Sequence, residues 1–390
     1  MQKKLATVSQ LAEFDTIIDV RSPGEFLEDH LPNAQNFPVL SNEERIQVGT
    51  LYKQVSAFEA KKLGATLVAR NIATAIERGF LDKPKNWRPL IYCWRGGQRS
   101  GAFTHVLREI GWEAHQLGGG YKAWRRHVIT QLETLPDQFD FRVISGATGS
   151  GKSRLLETLA AQGAQVLHLE QIAAHKGSVL GSLPDQFQPT QKGFDTLLFA
   201  ALAHLKADRP VFVEAESRKI GQLQLPETLI NALRRAPCLR LQVSLDARVD
   251  FLLEDYVYAI NDTAWLASNI ERLHSLQSRE TLTRWNQFIV DGEFRQLVAE
   301  LLSQHYDPLY VRSQNHNYVA HGEARVVTVD ALSPARIDML ATELLTASSA
   351  SIGATEKPVG TPLAAPRRPL RWHPPPLRGT TPRVASSLFR

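Results

Sequence analysis

The stretch FRVISGATGSGKSRLLETLAAQ, Phe141 to Gln162, decides how the second half of the chain is read. Phe141 to Ser145 is an apolar run of strand length. Gly146-Ala147-Thr148-Gly149-Ser150-Gly151-Lys152-Ser153 then satisfies G-x-x-x-x-G-K-[ST] without a mismatch, and Ser153 to Gln162 reads as a helix. Strand, glycine loop and helix in that order specify a P-loop. The glycines Gly146, Gly149 and Gly151 let backbone N–H groups converge on an anion, and the helix N-terminus adds partial positive charge. Lys152 is placed to reach terminal phosphate oxygens, and Ser153 to ligate Mg²⁺ where a metal is present.

Working outward, the strands PVFVEA (Pro210 to Ala215) and CLRLQVSL (Cys238 to Leu245) complete a parallel α/β unit, and beyond Asp246 the chain reads as mostly helical. PVFVEAES resembles the second phosphate-site strand of nucleotide hydrolases, with Glu214 and Glu216 in place of the usual Asp. Either carboxylate suits holding Mg²⁺ or orienting a water. Either equally suits an ion pair with Arg218 or Lys219, and both readings stay open. The loop therefore indicates phosphate firmly and ATP hydrolysis only weakly.

Before Pro136 lies a first unit of the same class. Thr16 to Val20 (TIIDV), Pro89 to Cys93 (PLIYC) and His115 to Leu117 (HQL) are short strands, and Ser100 to Ile110 is a helix with Phe103, Val106, Leu107 and Ile110 on one face. Cys93, one of two cysteines, opens the loop CWRGGQRS at a strand end, where parallel sheets build their sites. Loop N–H groups, a helix N-terminus and the charges of Arg95 and Arg99 would each favour a thiolate. Gly96 and Gly97 let the loop close around a large atom. A buried structural cysteine is the competing reading, and it is the preferred one for Cys238.

Composition bounds the rest. Two cysteines in 390 residues suit a reducing, cytoplasmic setting, the first residues lack the apolar core of a signal peptide, and no apolar run approaches the length of a membrane span. The net charge of +5 is carried by the C-terminus. Residues 351–390 hold seven Lys and Arg against Glu356 alone, and eight prolines, so residues 346–390 are expected to be a disordered basic tail. Such a tail either touches RNA nonspecifically or is dispensable. The basic pairs Lys61-Lys62, Arg125-Arg126 and Arg234-Arg235 are candidate phosphate contacts or plain solvated faces. His168 and His175, seven apart in an apparently helical run, would share a face. No CxxC, HExxH or other metal-ligand spacing is present.

Ile17 to Pro38 (IIDVRSPGEFLEDHLPNAQNFP) resembles the opening of a rhodanese domain, and LGGGYKAWRR (Leu117 to Arg126) its closing segment, which puts Cys93 at the persulfide position. Joined to a P-loop, and with NEERIQVGTLYKQ (Asn42 to Gln54), HLEQIAAHKGSVLG (His168 to Gly181) and QPTQKGFD (Gln188 to Asp195), the chain resembles bacterial tRNA 2-selenouridine synthases from about Asp15 to Asp330. The resemblance implies a rhodanese-like domain over 1–135, a P-loop NTPase-like α/β domain with a helical part over 136–345, and then the tail. It implies a transferase acting on wobble 2-thiouridine of tRNA. Geranyl diphosphate would alkylate the sulfur, and selenium from selenophosphate would replace it.

On this resemblance Cys93 would carry selenium as a perselenide, held by Arg95 and Arg99, and the P-loop would hold a phosphate-bearing substrate. No tightly bound cofactor is expected, Mg²⁺ is allowed, and selenophosphate synthetase is a candidate partner. Phe194, Leu197, Leu198 and Phe199, or the helices after Asp246, are candidates for a geranyl cleft, with plain core the competing reading. Two other readings remain: a sulfurtransferase with an NTP-dependent P-loop domain, and a nucleotide-binding regulatory protein.

Overall fold

The computed structural model of the protein describes residues 5–177, 181, 186–317 and 324–352. The first domain is a five-stranded, wholly parallel sheet: β1 (Leu5–Ala6), β2 (Thr16–Asp19), β3 (Ala34–Asn36), β4 (Pro89–Tyr92) and β5 (His115–Leu117), in the order β1-β5-β4-β2-β3. Leu90 and Ile91 of β4 are fully buried, as expected of a central strand covered on both faces. β4 stops at Tyr92, one residue before the expected end, which releases Cys93 into the loop.

Five helices surround this sheet. Ser22 and Ser41 close reciprocal capping boxes with Glu25 and Glu44, and so start α1 (Pro23–Glu28) and α2 (Asn42–Gln54). Ser56 caps α3 (Ala57–Gly79), accepting from the Phe58 and Glu59 amides. The loop after Cys93 runs into α4 (Gln98–Ile110), and α5 (Gly120–Thr134) follows β5. Sequence periodicity located α4 to within two residues.

A short 3₁₀ turn at Pro136–Gln138 joins the domains. The second parallel sheet contains β6 (Phe141–Gly146), β7 (Gln165–Leu167), β8 (Val211–Glu214), β11 (Cys238–Val243) and β12 (Arg325–Val329), in the order β12-β11-β6-β8-β7. A small antiparallel pair, β9 (Lys219–Ile220) and β10 (Leu223–Gln224), lies apart. α6 (Lys152–Ala161), α7 (Leu169–Ile172), α8 (Gln191–His204) and α9 (Glu227–Arg235) connect the strands.

Beyond Ser244, which caps α10 (Leu245–Asp255), come α11 (Val257–Asn261), α12 (Thr263–Glu271), α13 (Arg279–Asp291), α14 (Phe294–Glu300), a π-helical turn Leu301–Tyr306 and α15 (Asp307–Asn317). The expected helical region is present, but it is followed by β12, which returns to the edge of the sheet. β12 exposes most of its residues, so it lacks the apolar signal of a buried strand. The last helix, α16 (Pro334–Ile352), packs Ile337, Leu340 and Ala341 against Leu155 and Leu159 of α6. Residues 346–352, assigned above to the tail, continue this helix; the tail from 353 lies outside the described residues.

The domains share one core. Leu90, Tyr92, Tyr121 and Trp124 of the first belong to the same buried cluster as Phe141, Phe194, Leu198 and Val211 of the second. Burial of this kind, at roughly 25 cal/mol per Å² of apolar surface, fixes the domains against one another far more firmly than a linker could. Among the described residues, no helix is long and apolar enough to cross a membrane.

Candidate active site

In the first domain the buried Arg21 guanidinium grips Asp19, with Nη2 2.6 Å from Oδ2, and Nη2 also donates to the Asp29 carbonyl at 2.6 Å. Its carbon lies 3.9 Å from the centre of the Tyr121 ring, a close cation–π contact. This buried knot fastens the sheet's carboxyl edge to the start of α5. Above it, Cys93 is almost fully buried. Its sulfur accepts a hydrogen bond from the Ser100 hydroxyl at 3.1 Å, and the Gln116 amide holds that hydroxyl at 2.8 Å and the Gly96 carbonyl at 2.7 Å.

Sequence reasoning missed Ser100 and Gln116, because their role follows from how the first turn of α4 meets the middle of β5. The closing segment also shapes the loop. The Tyr121 amide donates to the Cys93 carbonyl at 2.9 Å. A Cβ on Gly120 would collide with that carbonyl and with the Gly96 nitrogen, so the LGGGY glycines permit a close approach of two backbones.

The arginines stand differently from expectation. Arg99 donates to Glu25 Oε2 at 2.9 Å, and Arg45 lies 3.8 Å from the same oxygen. Burial pushes the Glu25 carboxyl up, but the hydrogen bond and charge of Arg99 outweigh it and hold Glu25 below the usual carboxylate range. The charge of Arg99 is thus compensated at the loop's rim, whereas Arg95 is exposed and unpaired among the described residues. No backbone N–H among the described residues bonds the Cys93 sulfur itself; Ser100 takes that place.

In the second domain Gly149 and Gly151 adopt φ of +80° and +76°, and Gly146 turns at +157°, which curls the loop ahead of α6. Lys152 Nζ caps the loop, donating to the Gly146 carbonyl at 2.9 Å. Ser153 Oγ donates to Glu170 Oε2 at 3.1 Å. Glu170, on α7, was not anticipated from the sequence; an acidic residue just past a strand that neighbours the loop is the signal that marks it.

Glu214 and Glu216 converge on the same place. Glu214 ends β8 fully buried and accepts from the Leu169 amide at 3.0 Å. Burial, reinforced by the charge of Glu170, pushes the Glu214 carboxyl up to about 8. Burial and the charges of Glu170 and Glu214 likewise raise Glu216, which is hydrogen-bonded to Glu170. Among the described residues, no group of His, Cys, Asp or Glu is arranged to hold a metal ion.

Arg218 does not join them. It lies on the exposed side near β9, 3.6 Å from Glu227, and among the described residues it forms no ion pair with Glu214 or Glu216, the alternative left open above. Nor do His168 and His175 share a helix. Only Leu169–Ile172 is helical between them, and Ala174 at φ +48° ends the run. His168 instead lies 3.9 Å from Glu214, and burial pushes both histidines' pKa down. Cys238 is buried against Ser145, 3.2 Å from its hydroxyl, as the structural reading expected.

Phe194 and Leu198 are fully buried core residues, so they cannot line a cleft. The helices after Ser244 do form one. Leu252, Tyr256, Ile260, Leu266, Leu297 and Leu301 line a small, predominantly apolar cleft that reaches Thr148 of the P-loop, with a cavity volume of about 90 Å³. α10, which lends Leu252 to the cleft, is braced to the loop. Arg248, buried, donates to the Thr148 carbonyl at 3.2 Å and forks onto both carboxylate oxygens of Asp307, at 2.8 and 2.7 Å.

One member of each of two basic pairs is held in an ion pair, Arg125 with Asp195 at 2.8 Å and Arg235 with Asp137 at 2.7 Å, whereas Arg126 is exposed. Lys62 pairs with Glu59, whereas Lys61 is exposed and unpaired among the described residues.

A cysteine loop on one parallel sheet and a phosphate loop on the next, sharing a core, define a rhodanese-type domain fused to a P-loop domain. Comparison with known proteins agrees domain by domain. Residues 3–127 match the rhodanese-like domain, and residues 139–287 match the tRNA 2-selenouridine synthase AAA domain. The chain is 37% identical to a tRNA 2-selenouridine synthase of Nitrosomonas europaea over 62% of this chain and 63% of that protein. It is 32% identical to those of Marinobacter nauticus and Hydrogenovibrio crunogenus over 75% of this chain and 87% and 88% of theirs. The chain belongs to the tRNA 2-selenouridine synthase family.

Proposed function

We propose that the chain is a cytoplasmic tRNA-modifying transferase that converts wobble 2-thiouridine to 2-selenouridine through an S-geranylated intermediate, with geranyl diphosphate and selenophosphate as co-substrates. The observation that carries this reading is the apolar cleft opening onto Thr148 of the phosphate loop. A loop built for phosphate beside an apolar cleft suits an amphiphile with a diphosphate head and an apolar tail. Its relatives' names supply the selenium and the tRNA.

In this reading the loop amides of Gly149 to Lys152, with the Lys152 ammonium, neutralise the diphosphate as the uridine sulfur attacks the first carbon of the geranyl chain. A sulfur–carbon bond forms, and diphosphate leaves with the electron pair of the broken carbon–oxygen bond. Raised carboxyls at Glu214 and Glu216 keep the neighbourhood from repelling that anion. Mg²⁺, where it accompanies the diphosphate, would meet the Ser153 hydroxyl and the Glu170 carboxylate. Selenium of selenophosphate, already at the selenide level, then forms a bond to C2 as the C2–sulfur bond breaks and the geranylthiolate leaves, and water cleaves the selenium–phosphorus bond to release phosphate; Cys93, oriented by Ser100, serves this second step by positioning the selenophosphate. Selenophosphate synthetase is the natural supplier of the donor.

The test is nucleoside mass spectrometry of a 2-thiouridine tRNA incubated with geranyl diphosphate and then selenophosphate. Geranylthio- and then selenouridine are expected. Product formed only with a sulfur donor and ATP would overturn the reading in favour of sulfur transfer.

A further inference from the structure

The α2–α3 hairpin stands out from the rest of the first domain. α2 buries none of its 13 residues and packs on α3, whose own buried residues are Ala60, Leu67, Ile72 and Ala75. At the far end, Tyr52, Val55 and Phe58 are 59%, 71% and 67% exposed, which is unusual for large apolar groups grouped within seven residues. Lys53 and Lys61 flank them, exposed and unpaired among the described residues, while the one nearby acid, Glu59, is neutralised by Lys62. Lys62 also stands 5.2 Å from the Phe58 ring.

The root of the hairpin adjoins the cysteine loop. Asn42 accepts from the Gly24 amide at 2.8 Å, and Arg45 and Arg99 meet at Glu25. From this root α2 extends about 20 Å, at 1.5 Å per residue.

We propose that this hairpin is an RNA-docking arm, with Tyr52 and Phe58 as stacking platforms for unpaired bases and Lys53 and Lys61 as phosphate contacts. The inference rests on the reading of the chain as a tRNA-modifying enzyme and names the surface that reading lacks. Aromatic faces interleaved with free cations are the chemistry that holds single-stranded RNA, since every base offers a π-face and every linkage a charge. The free lysines Lys53 and Lys61 set the patch apart from a hydrophobic protein interface, whose core excludes lysine. Of the other basic pairs, Arg125 and Arg235 are already committed to carboxylates, and neither pair has an aromatic residue as exposed as Tyr52 or Phe58 beside it.

The experiment is fluorescence-anisotropy titration of the full chain with a labelled, unmodified anticodon stem–loop RNA across a salt series, with sedimentation run in parallel. Tyr52→Ala and Phe58→Ala are each expected to weaken binding by about fivefold or more. The pair Lys53→Gln and Lys61→Gln is expected to make the salt dependence shallower by about 1.5 on a log–log plot. The exposed sites should leave the melting temperature unchanged, so lost binding cannot be lost folding. Wild-type affinity in all variants overturns the arm while leaving the function intact. Altered self-association with unaltered RNA affinity also overturns it, identifying a contact between copies of the chain. A wild-type chain that binds no RNA overturns the functional reading and the arm with it.

Discussion

Thr196 of the P-loop domain donates to Asp29 Oδ2 of the rhodanese domain at 3.2 Å, and the same oxygen accepts from Tyr121 at 2.8 Å. The carboxylate therefore joins α8 to α5, with Arg125 3.8 Å away and itself tied to Asp195. Burial raises the Asp29 pKa more than Tyr121, Thr196 and Arg125 lower it, so the site tolerates the carboxylate only because those partners surround it. Next along the interface, Lys192 lies 5.9 Å from the ring of Trp94, the residue after Cys93. The cysteine loop is thus in contact with the domain that carries the phosphate loop.

From this knot follows a stability prediction. Asp29→Ala leaves two buried hydroxyls without their acceptor and should destabilise the chain by about 2–4 kcal/mol. Because the core is continuous across the domains, calorimetry should record one transition for residues 5–352, displaced as a unit. Two separate transitions in the wild-type chain would refute the shared core.

The phosphate loop and the apolar cleft should be separable by mutation. Lys152→Ala removes a charged donor and should weaken inorganic diphosphate binding about tenfold or more. Ala259→Phe fills the cleft from its lining and should block geranyl transfer while leaving inorganic diphosphate affinity unchanged. Loss of diphosphate binding in Ala259→Phe, or its retention in Lys152→Ala, would contradict the assignment. Isothermal titration measures both.

Glu214 gives a pH signature. Burial pushes its carboxyl up to about 8, above the ordinary glutamate value of 4.5, so between these values the folded chain retains a proton that the unfolded chain releases. The folded state binds more protons there, and stability must fall as pH rises from about 4.5 to 8. Glu214→Gln should flatten that slope and match or exceed the wild-type melting temperature at pH 8. An unchanged slope in melting temperature between pH 5 and 8 would show that Glu214 is not the group responsible.

Much of this was legible in the sequence, and the rest was hidden for identifiable reasons. The strand–loop–helix order around Gly146 to Ser153 and around Cys93 is local, so both loops are readable directly. Gln116 and Glu170 act through contacts between separate elements, and Ser100 through the way the loop folds its helix start back onto Cys93, none of which composition encodes. β12 has exposed residues on an edge and no apolar alternation. Arg218 looked like a partner of Glu214 by proximity along the chain, yet the turn into β9 carries it away. Arg99 read as a free cation because Glu25, 74 residues earlier, is invisible to local reading.

The central claim is that Cys93 and the P-loop serve two successive steps on one uridine. The most direct test is nucleoside mass spectrometry on Cys93→Ala, given 2-thiouridine tRNA, geranyl diphosphate and selenophosphate together. The account predicts accumulation of the geranylthio nucleoside with no selenouridine. Selenouridine formed by Cys93→Ala at the wild-type rate would contradict it.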